Sequence, residues 1–245
     1  TRLPDVDLRK MAFFLDFDGT LAPIASRPDL ASMARETRGA LERLIRASGG
    51  AVAVVSGRAL DDLHKKVMPL CVALAGSHGL ERKSACGGVR PSPLPSSAAQ
   101  ALDRLEAFAR QHSLFYERKP AGLALHYRDR PDMGAACTAE VESAIAHVGL
   151  RALHGHMIAE AVAASSSKGA AIRDLMSEPP FAGRTPVAVG DDTTDEDAFR
   201  AVVAMGGLAI KIGDGPTAAT HRVPDIADFL AWLAGLTPPM RAGLA

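Results

Sequence analysis

Two carboxylates, Asp16 and Asp18, stand one residue apart at the end of the apolar run MAFFL. Buried charge is costly unless it is paired or bound, so a hydrophobic strand that ends on two acids asks for a partner. Three further stretches put polar groups at comparable points: Ser56-Gly57-Arg58 after AVAVV, Ser167-Lys168-Gly169 ahead of a helical pattern, and Gly190-Asp191-Asp192 after TPVAV. Each has an ordinary explanation. A DxDGT run makes an Asx-turn with Gly19 at positive φ, Ser56 caps a following helix, and Thr194 with Asp195, Glu196 and Asp197 begins one. Lys168 fits less well, because a cation in the first turn of KGAAIRDLM opposes the helix dipole unless an anion lies there. Nor could Asp16, Asp18 and Asp191 converge alone, since two like charges about 4 Å apart repel by roughly 4 kcal/mol at an effective dielectric of 20. A hard divalent cation taking carboxylate oxygens, with Mg²⁺ the natural choice, would relieve that crowding.

These groups need a scaffold that gathers strand ends. Apolar strands MAFFL, AVAVV, VALAG, TPVAV and LAIKI alternate with helix-periodic segments such as ETRGALERLIRAS, ALDDLHKKVM and DEDAFRAVVAM. That alternation predicts an α/β fold with a doubly wound, mostly parallel sheet, whose ligands collect beyond the carboxyl ends of the strands. The pattern breaks at CGGVRPSPLPSSAAQ, residues 86–100, which reads as a linker. Between there and ASSSKG lie a helix (AAQALDRLEAFARQH), a hairpin (LFYERK and LALHYR around Pro120-Ala121-Gly122), a second helix and the strand HMIAEAV. The expectation is a core domain over residues 1–84 and 164–245, with an α+β domain inserted over 85–163.

At 245 residues the chain can bury a sizeable core. Its 28 Lys+Arg balance 28 Asp+Glu, which argues against nucleic-acid or membrane-surface binding. Cys71, Cys86 and Cys137 are odd in number and lack a CxxC spacing, so they read as reduced thiols and not as a disulfide framework or zinc site. With a polar start and no run of eighteen apolar residues, neither a signal peptide nor a membrane span is expected. The expectation is a soluble, cytoplasmic monomer.

The four polar stretches, in this order, resemble the motifs of the haloacid dehalogenase-like (HAD) phosphatase superfamily. The resemblance implies a Rossmann-like core with an inserted α+β cap. It implies Asp16 as nucleophile, Asp18 as general acid and base, and Gly19, Thr20, Ser56, Gly57 and Lys168 around the phosphate. Asp16, Asp18 and Asp191 would face Mg²⁺, Asp18 through its main-chain carbonyl, with Asp192 and Asp195 as further metal candidates. Such chemistry is demanding, since phosphate monoesters need acceleration of up to about 10²¹-fold. A carboxylate nucleophile divides the displacement into two steps, and a second acid protonates the leaving oxygen.

The insert carries the substrate expectation. On the strand LFYERK, Glu117 and Lys119 share a face with Phe115, and on HMIAEAV Glu160 shares one with His156 and Ile158. A solvated sheet face with cross-strand charge pairs explains these equally well. However, AGSHGLE, ERKPAGLALHYR, GHMIAE and GDDTTDEDAF resemble the trehalose-6-phosphate phosphatase family. That resemblance implies that Glu117, Lys119 and Glu160 bond sugar hydroxyls, and that Arg58, His78 and Gly79 face a small sugar-phosphate substrate. The alternatives are another capped sugar phosphatase, acting on sucrose phosphate, a glycosylglycerate phosphate or a hexose phosphate, or a phosphomutase. A non-catalytic sugar-phosphate binding module is disfavoured, because binding alone needs no nucleophile plus separate acid.

Overall fold

The computed structural model describes residues 3–25, 27–85, 87–91, 94, 97–119, 122–146, 148–155, 157–164 and 167–237, and of residues 28, 90, 91 and 119 the main chain alone. Pro120, Ala121 and His156, and the side chain of Lys119, therefore lie outside the described residues. In chain order the elements are β1 (Met11–Leu15), α1 (Arg35–Ala47), β2 (Val52–Val55), α2 (Leu60–Val67), β3 (Ala73–Gly76), β4 (Glu81–Lys83) and β5 (Val89–Pro91). Then follow α3 (Ala98–Gln111), β6 (Phe115–Lys119), β7 (Gly122–His126), α4 (Gly134–Ala144), β8 (Leu150–Gly155) and β9 (Ile158–Ala163). The chain continues with α5 (Lys168–Met176), β10 (Thr185–Gly190), α6 (Glu196–Ala204), β11 (Leu208–Ile212), β12 (His221–Val223) and α7 (Ile226–Leu236). They form two compact units, one of Thr1–Val89 with Ser167–Ala245 and one of Arg90–Ser166.

The first unit carries a sheet in the order β12-β11-β10-β1-β2-β3-β4-β5. Every pair from β12 to β3 is parallel, and β4 joins β3 antiparallel. Alternate strand residues serve opposite faces. Phe13, Leu15, Val52, Val54, Val187, Val189 and Ile210 pack with α1, α2 and α7 residues such as Leu41, Leu63 and Phe229. The other face is built from smaller side chains, Ala12, Ala53, Ala75, Ala188 and Ala209, and packs against Ile172 of α5 and Phe199 of α6. Those alanines keep α5 and α6 near the sheet, and Gly169 brings the two helices together: a Cβ there would lie 2.4 Å from the Asp197 carbonyl. This close approach sets Lys168 beside the start of α6.

In the second unit α3 and α4 cover one face of an antiparallel sheet, β6-β7-β9-β8, through Leu102, Leu105, Val141, Leu123, Leu125, Ala159 and Ala161. The register puts Glu117 opposite Ala124 and Ala124 opposite Glu160, on the face that α3 and α4 leave uncovered. Four strands go beyond the sequence reading: β4, β5, β8 and β12. β4, β5 and β12 are three residues long, and β5 falls inside the Gly- and Pro-rich stretch expected to be linker. β8 has one buried residue in six, so it lacks an apolar signature. Of the cysteines described, Cys71 is exposed and Cys137 buried.

Candidate active site

All four polar stretches come to one rim of the first sheet. β1 and β10 are neighbours in register, with Leu15 paired to Val189, so Asp16 and Gly190-Asp191 leave adjacent strands together. The Asp16 amide donates to the Val189 carbonyl at 3.0 Å. β2 lies on the other side of β1 and delivers Ser56, and α5 sets Lys168 at its first helical position. A cavity of about 610 Å³ is lined by Asp16, Asp18, Ser56, Gly57, Arg58, His78, Lys168, Asp191 and Asp192, with Thr194 and the apolar Ile24, Ala25 and Ala31. Of the other expected site residues in this unit, Gly19, Thr20, Gly79 and Asp195 do not line it.

At its floor the Lys168 ammonium donates to Asp16 Oδ1 and to Asp195 Oδ1, each at 2.6 Å. All three residues are buried, 3% exposed for Lys168, 6% for Asp16 and 2% for Asp195. The two carboxylates raise the Lys168 pKa against the effect of burial, so it stays charged. The conflict of Lys168 with its helix dipole is thereby met by carboxylates, while Ser167 caps α5 by accepting from the Ala170 amide at 3.0 Å. Asp195 Oδ2 accepts from the amides of Asp191 and Asp192, at 3.1 and 3.0 Å. Both oxygens of Asp195 are thus engaged: its helix-start role and its place at the site are one arrangement.

The Asp191 carboxylate lies over Gly19, where φ is +79° and a Cβ would fall 2.0 Å from Asp191 Oδ2. Only glycine fits there. Asp191 Oδ1 and the Thr20 hydroxyl are buried with no hydrogen-bond partner. Carboxylate oxygens of Asp16, Asp191 and Asp195 lie within 4.8 Å of one another. Burial, then the neighbouring acids, push the Asp191 carboxyl up to about 6. Burial also pushes the Asp16 carboxyl up, with Asp195 and Asp191 adding to the rise and the Lys168 ammonium pulling the other way. An excess of buried negative charge and an orphaned carboxylate oxygen are what a hard divalent cation would satisfy, and this all-oxygen donor set suits Mg²⁺.

The Asp18 carboxylate is not in that cluster. Arg58 holds it in a two-pronged fork, Nε to Oδ2 and Nη2 to Oδ1, both 2.6 Å, and also donates through Nη1 to Asp62 at 2.7 Å. Burial disfavours the Arg58 charge, but the bonds to Asp18 and Asp62 raise its pKa overall. Any contribution of Asp18 to a metal would come from its main chain. Ser56 does not cap α2, whose flanking Ala59 makes no side-chain cap. Instead its hydroxyl accepts from the Arg58 amide at 3.2 Å. The Leu60 amide at the start of α2 is met by the Glu81 carboxylate at 3.3 Å, a partner not foreseen from sequence. Ser77, His78 and Gly79 all have positive φ, 49°, 56° and 97°. This uncommon left-handed turn lays the His78 ring over Gly57, where a Cβ would meet it at 2.7 Å. In the second unit, Glu117 lies 3.9 Å from His126, and the ring of Phe115, 66% exposed, stands 5.1 Å from that of His126.

Lys211 was also missed, a lysine within the buried strand β11 whose ammonium bonds the Asp191 carbonyl.

Known proteins resemble this chain over most of its length. Curated relatives include the trehalose-6-phosphate phosphatase of Escherichia coli, 36% identical over 98% of this chain and 91% of its own. Another is a probable trehalose-phosphate phosphatase of Sinorhizobium fredii, 37% identical over 84% of this chain and 79% of its own. A crystal structure described as a trehalose-6-phosphate phosphatase related protein superposes with a TM-score of 0.71 at 25% identity, covering 92% of this chain and 96% of that one. The Candida albicans trehalose-6-phosphate phosphatase C-terminal domain, at 22% identity, shares the fold with a TM-score of 0.77 over 94% and 92% of the two chains. The sequence pattern of the trehalose-phosphatase family matches residues 14–225, from inside β1 to the start of α7, and the chain belongs to that family.

Proposed function

We propose that this chain hydrolyses trehalose 6-phosphate to trehalose and inorganic phosphate through an aspartyl-phosphate on Asp16, with Mg²⁺ as cofactor. The observation that carries the reading is the buried Lys168 ammonium shared at 2.6 Å between Asp16 and Asp195, in a cavity wall that also holds Asp18 and Ser56.

In the first step an Asp16 carboxylate oxygen attacks phosphorus as the bond from phosphorus to the sugar oxygen breaks. Asp18 gives that departing oxygen its proton. Its carboxylate must turn out of the Arg58 fork to do so, leaving Arg58 to Asp62 and the substrate. In the second step Asp18 takes a proton from water as the water attacks phosphorus, which frees phosphate and restores the Asp16 carboxylate. Lys168 and the Ser56 hydroxyl, which both line the cavity, are the phosphate holders. Mg²⁺ held by Asp16, Asp191 and the Asp18 main chain would neutralise the phosphoryl oxygens, with Asp192 and Asp195 acting around it. Arg58 and His78 border the substrate, and Gly79, which does not line the cavity, belongs to the left-handed turn that carries His78. The inserted unit, acting as a cap, contributes Glu117, Lys119 and Glu160, whose charged groups suit a hydroxyl-rich disaccharide.

Among the described residues no helix is long and apolar enough to cross a membrane. A cytoplasmic monomer acting on a small sugar-phosphate substrate is part of the same proposal. Phosphate release from a panel of sugar phosphates tests the proposal. Trehalose 6-phosphate should give the highest kcat/KM with Mg²⁺ and no turnover with excess chelator. A higher value for sucrose phosphate or a hexose phosphate would overturn the substrate assignment, and full turnover in chelator would overturn the cofactor.

A further inference from the structure

Lys211 is 5% exposed on β11, the strand between the edge strand β12 and β10 of the first sheet, and is paired in register with Gly190 of β10. Burying a lysine costs several kcal/mol unless its charge is compensated, and β11 otherwise offers it only apolar neighbours along the strand. Its ammonium does not go to a carboxylate. It donates to the main-chain carbonyl of Asp191. The same residue is held at its amide by Asp195 Oδ2 at 3.1 Å. The Asp191 main chain is therefore clamped from both sides by charged groups, a carboxylate on the N–H and an ammonium on the C=O, and charge-assisted bonds are the strong kind. The Asp191 side chain lacks comparable support: Oδ1 has no hydrogen-bond partner, and the carboxylate rests on the bare Cα of Gly19. Its direction is set by the main chain that carries it.

We propose that Lys211 is a positioning residue, which fixes the Asp191 main chain so that the Asp191 carboxylate is presented to the divalent cation. This inference rests on the metal role proposed above for Asp191. It makes a prediction opposite in sign to that of a simple charge effect. Removing a positive charge near a cation site should tighten cation binding; removing a clamp should weaken it.

The test compares wild type, Lys211→Met, which keeps the length and loses the donor, and Lys211→Gln, which keeps a shorter neutral donor. Mg²⁺ affinity is read from fitting the rise in melting temperature with Mg²⁺ concentration, which follows RT ln(1 + [Mg²⁺]/Kd), and separately from half-saturation of turnover. Partners of metal ligands cost about 10–100-fold in metal affinity when removed, so K211M should weaken Mg²⁺ at least about tenfold by both readouts, with K211Q in between at about two- to fivefold. A purely structural role would lower the melting temperature of metal-free protein and leave the Mg²⁺ affinity from both readouts unchanged, which overturns the proposal. Tighter binding in both variants overturns it in favour of charge. Should K211M fail to fold, K211Q decides alone: a twofold or greater weakening supports the clamp, and unchanged or tighter binding refutes it. Wild type that gains no stability from Mg²⁺ while still hydrolysing sugar phosphate refutes the metal reading and this inference together.

Discussion

Replacing Lys168 by Met gives the sharpest test of the buried charge arrangement. Met preserves the length and apolar body of the side chain, so packing changes little, but Asp16 and Asp195 lose the ammonium that both contact at 2.6 Å. Asp195 keeps the amides of Asp191 and Asp192, whereas Asp16 loses its one strong donor. The stranded Asp16 can escape only by taking a proton. Wild-type Asp16 is ionised as the partner of the Lys168 ammonium; for the variant, starting from the ordinary aspartate pKa of 3.8, protonation at pH 7 costs at most about 4 kcal/mol, and at pH 5 about 2 kcal/mol. That ceiling matches the roughly 3–5 kcal/mol typical when one partner of a buried pair is removed. At about 2–4 °C per kcal/mol for a chain of this size, the melting temperature should fall by about 8–16 °C at pH 7 and about half as much at pH 5. The sign follows from the direction of the shift. A carboxyl whose folded pKa is raised contributes stability at low pH, and loses it as pH rises from its unfolded towards its folded value. Calorimetric melts of wild type and variant in chelator, at both pH values, make the measurement. A drop below about 3 °C at pH 7, or one equal at both pH values, would refute the reasoning.

Asp18→Asn should slow the single-turnover phosphorylation of Asp16 by the sugar phosphate by about 10²–10⁴-fold, and that by nitrophenyl phosphate, whose leaving group needs no proton, far less; parallel losses in this first step would remove Asp18 from the acid role, since only the second step is common to both substrates. Glu117→Ala removes charge-assisted bonds of about 1.5–3 kcal/mol, so kcat/KM for trehalose 6-phosphate should fall about 10- to 150-fold while nitrophenyl phosphate is spared. Equal losses would mean that this sheet face does not read sugar. Ser167→Ala deletes the cap of α5 and should cost about 1 kcal/mol, a fall of about 2–4 °C in melting temperature; no change would deny the cap.

Much of this was legible in the chain because the signals were strong where they mattered. Five apolar strands with helices between them gave a parallel sheet, and three polar stretches at strand ends gave a common rim, since a parallel sheet aligns those ends. Lys168 announced itself by sitting at the wrong end of a helix. The short strands did not: β4, β5 and β12 draw their stability from neighbours, not from a pattern of their own. Geometry specific to side chains was equally hidden. The fork of Arg58 on Asp18 joins residues forty positions apart, and nothing in SGR or DFDG fixes its direction. Glu81 at the start of α2 depends on the left-handed turn at Ser77, His78 and Gly79. Lys211 left a signal that could have been read, because a lysine in the strand LAIKI, buried on both faces, must be compensated by something near the strand end.

The account turns on Asp16 carrying the phosphoryl group. Rapid quench of enzyme mixed with trehalose 6-phosphate and Mg²⁺, followed by digestion and mass spectrometry, measures this directly. The predicted result is a phosphorylated peptide containing Asp16 that forms within the first turnover and is absent from the inactive Asp16→Asn variant. Steady phosphate release with no phosphorylated peptide, together with near wild-type turnover in Asp16→Asn, would contradict it.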